Sequence, residues 1–140
     1  KALAQAGRLG LPYLCSPMES LATLEENYAK HRQSAAESAM ELQAVVPLMR
    51  TVFVSEDRSI LNTVKTELAQ NTENARLQDG ETALDWTIVG EPNEVADKIA
   101  SYQQRLGMTH LIATRLRISG MSEVVCQESV GLLAELVFDG

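Results

Sequence analysis

At 140 residues, with 45% apolar and 22% charged side chains, the chain has the size and balance of a single globular domain that buries roughly two thirds of its unfolded surface. Twelve basic against nineteen acidic residues give a net charge of −7, and the densest cationic stretch is Arg115-Leu116-Arg117, which argues against a nucleic-acid or anionic-membrane partner. Two cysteines without C-x-x-C spacing, no run of about 18 apolar residues and no signal-peptide pattern predict two free thiols in a cytoplasmic protein.

The first stretch, KALAQAGRLG, reads as the second half of a helix. Leu3, Ala6 and Leu9 share its inward face and Gly10 supplies a left-handed cap. Nothing caps its start, and Lys1 puts a cation where the helix dipole prefers an anion, so the beginning reads as cut. LPYLCS, Leu11 to Ser16, predicts a short buried strand of the kind parallel sheets use. In SPMES, Ser16 predicts an N-cap with Pro17 at the first helical position and Glu19 completing a capping box. The helix is expected to run to about Met40, with Leu21, Leu24, Tyr28 and Ala35 inward and His31 on the same stripe.

Val46 to Val54, VPLMRTVFV, is rich in β-branched residues and predicts the second strand. Arg50 in its middle predicts a structural ion pair rather than a catalytic group, because a buried charge is costly without a partner. Asp57 or Ser55 caps a helix carried by Ile60, Val64 and Leu68. Residues 70–86 are polar and weakly patterned and predict a loop or insertion, with Trp86 as its anchor and TIVGEPNEV closing the region. Pro92 and Glu94 open a third helix with Val95, Ile99, Tyr102 and Leu106 buried and Gly107 as cap. THLIATRL is the third strand, beginning near His110; RISGMS is a loop, and Ser122 to Phe138 is a last helix facing inward with Val125, Leu132, Leu133 and Leu136.

The arrangement is α/β with parallel βα units and right-handed crossovers. The sequence Arg-Leu-Gly ends two helices, at Arg8-Leu9-Gly10 and at Arg105-Leu106-Gly107, each before an apolar run, so the same helix-to-strand junction is expected twice. No G-x-G-x-x-G and no P-loop follows any strand, which weakens a nucleotide-binding doubly wound sheet.

AGRLGLPYLCSP, YAKHR, VPLMRTVFVSED and IVGEPNEVADKIASYQQRLGMTHLIATRL resemble the C-terminal part of the bacterial luciferase-like, flavin-dependent monooxygenases. The resemblance covers the chain apart from residues 70–86, and VGEPNEVADKI…LGMTHLI is its most specific part. It implies one domain over residues 1–140 that forms about three strands of a TIM-type (β/α)8 barrel. It implies FMN or a related flavin as cofactor, not necessarily held by this chain alone, since the family's phosphate loops follow earlier strands. The expected partner is a second copy of the chain, as a homodimer joined through exposed sheet edges and helix faces, or the missing N-terminal half of the barrel. A non-catalytic half-barrel acting through association is the alternative to an oxidoreductase segment.

In a barrel the functional end is the C-terminal edge of the strands. Cys15, Ser16 and Met18 are the expected cofactor-facing residues of the first loop, and Arg115 and Arg117 the expected contacts to an anionic group. Each also has a structural reading: Ser16, Glu19 and Asp57 as caps, Cys15 as a buried strand thiol, and the arginines as partners of nearby carboxylates. No Ser/His/Asp arrangement is recognisable, and without H-x-H, H-E-x-x-H or a Cys/His cluster, His31 and His110 do not predict a metal site. No catalytic side chain can be named, which suits a flavin enzyme whose cofactor carries the oxygen chemistry.

Overall fold

The computed structural model describes residues 2–71 and 79–138, so residues 72–78 of the expected insertion at 70–86 lie outside the described residues. Helices α1 (Ala2–Arg8) and α2 (Leu21–Glu37) precede strand β1 (Pro47–Val54). Helix α3 (Arg58–Gln70), a 3-10 turn (Ala83–Trp86) and strand β2 (Thr87–Gly90) follow. Helix α4 (Pro92–Leu106), strand β3 (His110–Arg115) and helix α5 (Glu123–Phe138) complete the chain. The three strands are parallel in the order β2-β1-β3, with Thr51 aligned to Thr87 on one side and to Thr114 on the other.

Side-chain alternation along β1 divides the core in two. Leu48, Val52 and Val54 join Ile88 of β2 and pack on Leu24 and Tyr28 of α2 and on Val95, Tyr102 and Leu106 of α4. Phe53 and Val89 face the other way, onto Leu61, Val64 and Leu68 of α3. Both faces of β1 and β2 are therefore covered, which is why neither strand alternates apolar with polar. The caps fall where their chemistry directs: the Asp57 carboxylate accepts from the Ser59 and Ile60 N–H groups at 2.8 and 3.2 Å, and Gly107 ends α4 with φ 72°. Pro92 opens α4, and the Glu94 carboxylate accepts from the Glu91 N–H at 3.0 Å.

Several expectations need correction. Leu11 to Ser16 forms no strand: the segment is extended but pairs with no ladder, and Leu11 and Leu14 are half exposed. Side chains hold it instead: the Tyr28 hydroxyl lies 3.2 Å from the Tyr13 carbonyl and 3.0 Å from that of Pro47, and His31 Nε2 donates to the Leu11 carbonyl at 2.9 Å. Thr87–Gly90 is a strand in its stead, four buried residues that the polar surroundings hide in the sequence. The α2 cap is Ser20 rather than Ser16; its hydroxyl accepts from Thr23 N–H at 3.4 Å, and Pro17 and Met18 form a turn. That helix ends at Glu37, where Ala39 turns left-handed with φ 52°. In α1 the buried position is Gly7, while Leu9 faces solvent.

Arg50 is wholly buried, as a mid-strand position dictates, yet it makes no ion pair among the described residues. Its guanidinium donates to the carbonyls of Ser16, Met49 and Glu19 at 3.1, 3.1 and 2.6 Å and to the Tyr102 hydroxyl at 3.2 Å. Its carbon centre also lies 5.2 Å from the centroid of the Tyr102 ring. Neutral acceptors and a π face thus replace the expected carboxylate.

The sheet is open. Among the described residues β3 pairs only with β1, and it is largely exposed, with Ile112 at 40% accessibility, against the expectation of a buried strand. Helix α5 is apolar on more than one side and leaves Val124, Val130 and Val137 in solvent.

Candidate functional site

Parallel strands deliver their following loops to one edge, where ligands of α/β proteins are received. At this edge β1 ends at Val54 and is followed by Ser55, and β3 ends in Arg115 and runs into the 116–122 loop. Helix α5 starts at Glu123, with the Ser122 hydroxyl accepting from the Val125 N–H at 3.3 Å. It is pinned to the sheet by Ser129, whose buried hydroxyl accepts from the Val54 N–H at 2.8 Å. That bond satisfies a strand-end donor that has no ladder partner.

Between these elements lies a mostly apolar cleft of about 530 Å³, with Phe53, Ala113 and Leu116 on the sheet side and Cys126, Val130 and Leu133 on the helix side. A second, shallower cleft of about 320 Å³ is lined by Arg115, Arg117 and Ser119. The two share Arg115 and Leu116. Among the described residues neither Arg115 nor Arg117 has a carboxylate within ion-pair distance, in a chain of net charge −7. Glu123 borders the larger cleft without reaching Arg115.

The first-loop residues sit apart from these clefts. Cys15 is buried in the core, and burial pushes its thiol above the usual range. The Ser16 hydroxyl accepts from the Met18 N–H at 3.3 Å, its carbonyl is held by Arg50, and Met18 is partly exposed. Cys15, Ser16 and Met18 line neither cleft, so the structure brings together Arg115 and Arg117 but does not join them to the first loop. Cys126 and Ser129 were not singled out by sequence reasoning. Their signal was a thiol and a hydroxyl three apart on the inward stripe of α5, where larger apolar side chains are the norm. Both cysteines are free, and no group of three or more His, Cys, Asp or Glu residues clusters for a metal among the described residues. No described helix is long and apolar enough to cross a membrane.

The whole arrangement matches solved structures of longer proteins. The chain superposes on the monooxygenase RslO1 from Streptomyces bottropensis with a TM-score of 0.70 at 14% identity, covering 98% of this chain and 44% of that one. With flavoprotein 390 the TM-score is 0.73 at 14% identity, covering 98% and 62%. With the oxygenating constituent of 3,6-diketocamphane monooxygenase from the CAM plasmid of Pseudomonas putida, a type II Baeyer–Villiger enzyme in complex with FMN, it is 0.67 at 14%, covering 97% and 44%. No protein-family model and no curated relative matches. At these identities the likeness is one of fold: three parallel strands flanked by helices form an open sheet, a partial TIM-type half-barrel. The chain spans between 44% and 62% of the length of these solved proteins.

Proposed function

We propose that this chain is the C-terminal barrel segment of a luciferase-like, flavin-dependent monooxygenase, acting in the cytoplasm and binding FMN or a related flavin only with the remaining strands in place. The observation that carries this reading is the fold match over 97–98% of the chain to monooxygenases and a flavoprotein, one of them in complex with FMN. The residues fit such a cofactor in part. Among the described residues Arg115 and Arg117 are cations without a carboxylate partner and could meet an anionic group, while Ser16 and Met18, on the first loop, lie outside both clefts. Cys15 lies behind that loop in the core and would support it rather than touch the flavin. When bound, the flavin supplies the redox chemistry; the chain's own residues would orient it and exclude water.

The test is a fluorescence titration of FMN against two proteins: the chain alone, and the chain joined to the complementary barrel half of a monooxygenase of this fold. Quenching by the joined protein and none by the chain alone is expected. No quenching by a folded joined protein would overturn the reading.

A second reading, a non-catalytic half-barrel that works as a homodimer, is favoured by the outer edge of β3, unpaired among the described residues, and by exposed Ile112, Val130 and Val137. A mass by light scattering that stays monomeric at high concentration would defeat it.

A further inference from the structure

The larger cleft and the arginine-lined cleft adjoin at Arg115 and Leu116, which line both, and this pairing of two chemical characters goes beyond the flavin reading because it belongs to the chain by itself. We propose that it is a binding site for an organic anion: an apolar body between β1, β3 and α5, and a carboxylate or phosphate-monoester head on Arg115 and Arg117.

The volume, about 530 Å³, falls within the roughly 300–1,000 Å³ range of small-molecule pockets. Phe53, Ala113, Leu116, Cys126 and Leu133 give it an apolar wall suited to a flat or chain-like body. The charge argument chooses the head group. Nineteen acidic residues are distributed over this chain, yet among the described residues none pairs with Arg115 or Arg117, which leaves two guanidinium groups open at the cleft's rim. A guanidinium fork matches a carboxylate or phosphate with paired N–H donors, and a neutral head of the same shape cannot use it. Glu123 borders the cleft and opposes the anion, so its removal has a defined sign.

The experiment uses the 140-residue chain and three ligands with one apolar body: 2-naphthoate, 2-naphthyl phosphate and the neutral 2-naphthamide, titrated calorimetrically. At least one of the two anions is expected to bind about tenfold or more tightly than the amide, and the better anion identifies the head group. The double variant Arg115→Ala/Arg117→Ala, altered only at exposed positions, should lose that preference, and Glu123→Gln should tighten the anions but not the amide. Occupancy should also slow maleimide alkylation of Cys126 while leaving Cys15 unaffected. Equal affinity for acid, phosphate and amide, no binding of any of them, or a preference that survives loss of both arginines would overturn the proposal. None of these readouts needs flavin or added barrel strands, so its failure leaves the monooxygenase reading to its own test.

Discussion

The Arg50 guanidinium donates to the backbone carbonyl of Glu19 at 2.6 Å, tying the middle of the central strand to a loop thirty-one residues earlier. Bonds to the Ser16 and Met49 carbonyls and to the Tyr102 hydroxyl complete its coordination. One side chain thus does what a strand ladder would do elsewhere: it fixes the course of the 11–19 segment along the sheet. Arg50→Met keeps the aliphatic stem and removes every donor. A carbonyl left without a partner costs about 1–3 kcal/mol when buried, and these three are partly buried, so a loss on the order of 3 kcal/mol in total is expected. Urea unfolding with a lowered midpoint and an unchanged slope would show it, and Tyr102→Phe should lose less because the ring stays beneath the guanidinium.

Ser129 makes a second such repair. Its hydroxyl accepts from the Val54 N–H at the end of β1 and holds α5 against the sheet. Ser129→Ala leaves that N–H buried without a partner and should destabilise by about 1–3 kcal/mol. Hydrogen exchange at the Val54 amide should accelerate more than at Val52.

Gly7 sits where α1 crosses α2. A Cβ there would lie 2.5 Å from the His31 carbonyl oxygen and 2.9 Å from Ser34 Cβ, both on the partner helix. Alanine gains about 1 kcal/mol of helix propensity over glycine, but prying apart packed helices costs typically 1–3 kcal/mol. The clash involves backbone and should win. Gly7→Ala is expected to lower the thermal midpoint, whereas Ala4→Gly is expected to lower it through propensity alone.

Alkaline pH should expose the burial of Cys15. Burial raises its thiol above the ordinary value, and Tyr28 is raised for the same reason. A raised acid holds its proton in the folded state while the unfolded chain ionises, so stability is full below the unfolded value and falls as pH rises through it. Lys98, lowered by burial, acts in the opposite sense in the same range. The comparison of Cys15→Val with the parent therefore isolates the thiol: the variant's stability should decline less steeply above about pH 8.5, the ordinary cysteine value.

Much of the fold was legible because several local signals agreed. Asp57, Pro92 and Gly107 each mark a helix boundary by their own chemistry, and β1 announces itself by β-branched residues. The two Arg-Leu-Gly junctions show where such reading stops. Gly10 and Gly107 both turn left-handed, with φ 68° and 72°, yet only the second leads into a paired strand. Pairing depends on which neighbour is present, and no residue of Leu11–Ser16 records that. Thr87–Gly90 was missed for the converse reason: four residues are too few for periodicity to speak, and tertiary burial decides. At the site, the exposed arginines were visible because charge is a property of composition. The apolar wall from α5 was not, because a helix apolar on several sides does not reveal which side meets the sheet.

The central claim is that β3 is the unfinished border of a barrel, and amide hydrogen exchange of His110–Arg115 tests it most directly. In the chain alone, the outward-facing amides of this strand should exchange rapidly while their neighbours bonded to β1 are protected. Joined to the complementary strands of a monooxygenase of this fold, the outward amides should become protected as well. If they exchange at the same rate in both proteins, with the joined protein folded, β3 is a natural edge and the chain is not part of a barrel.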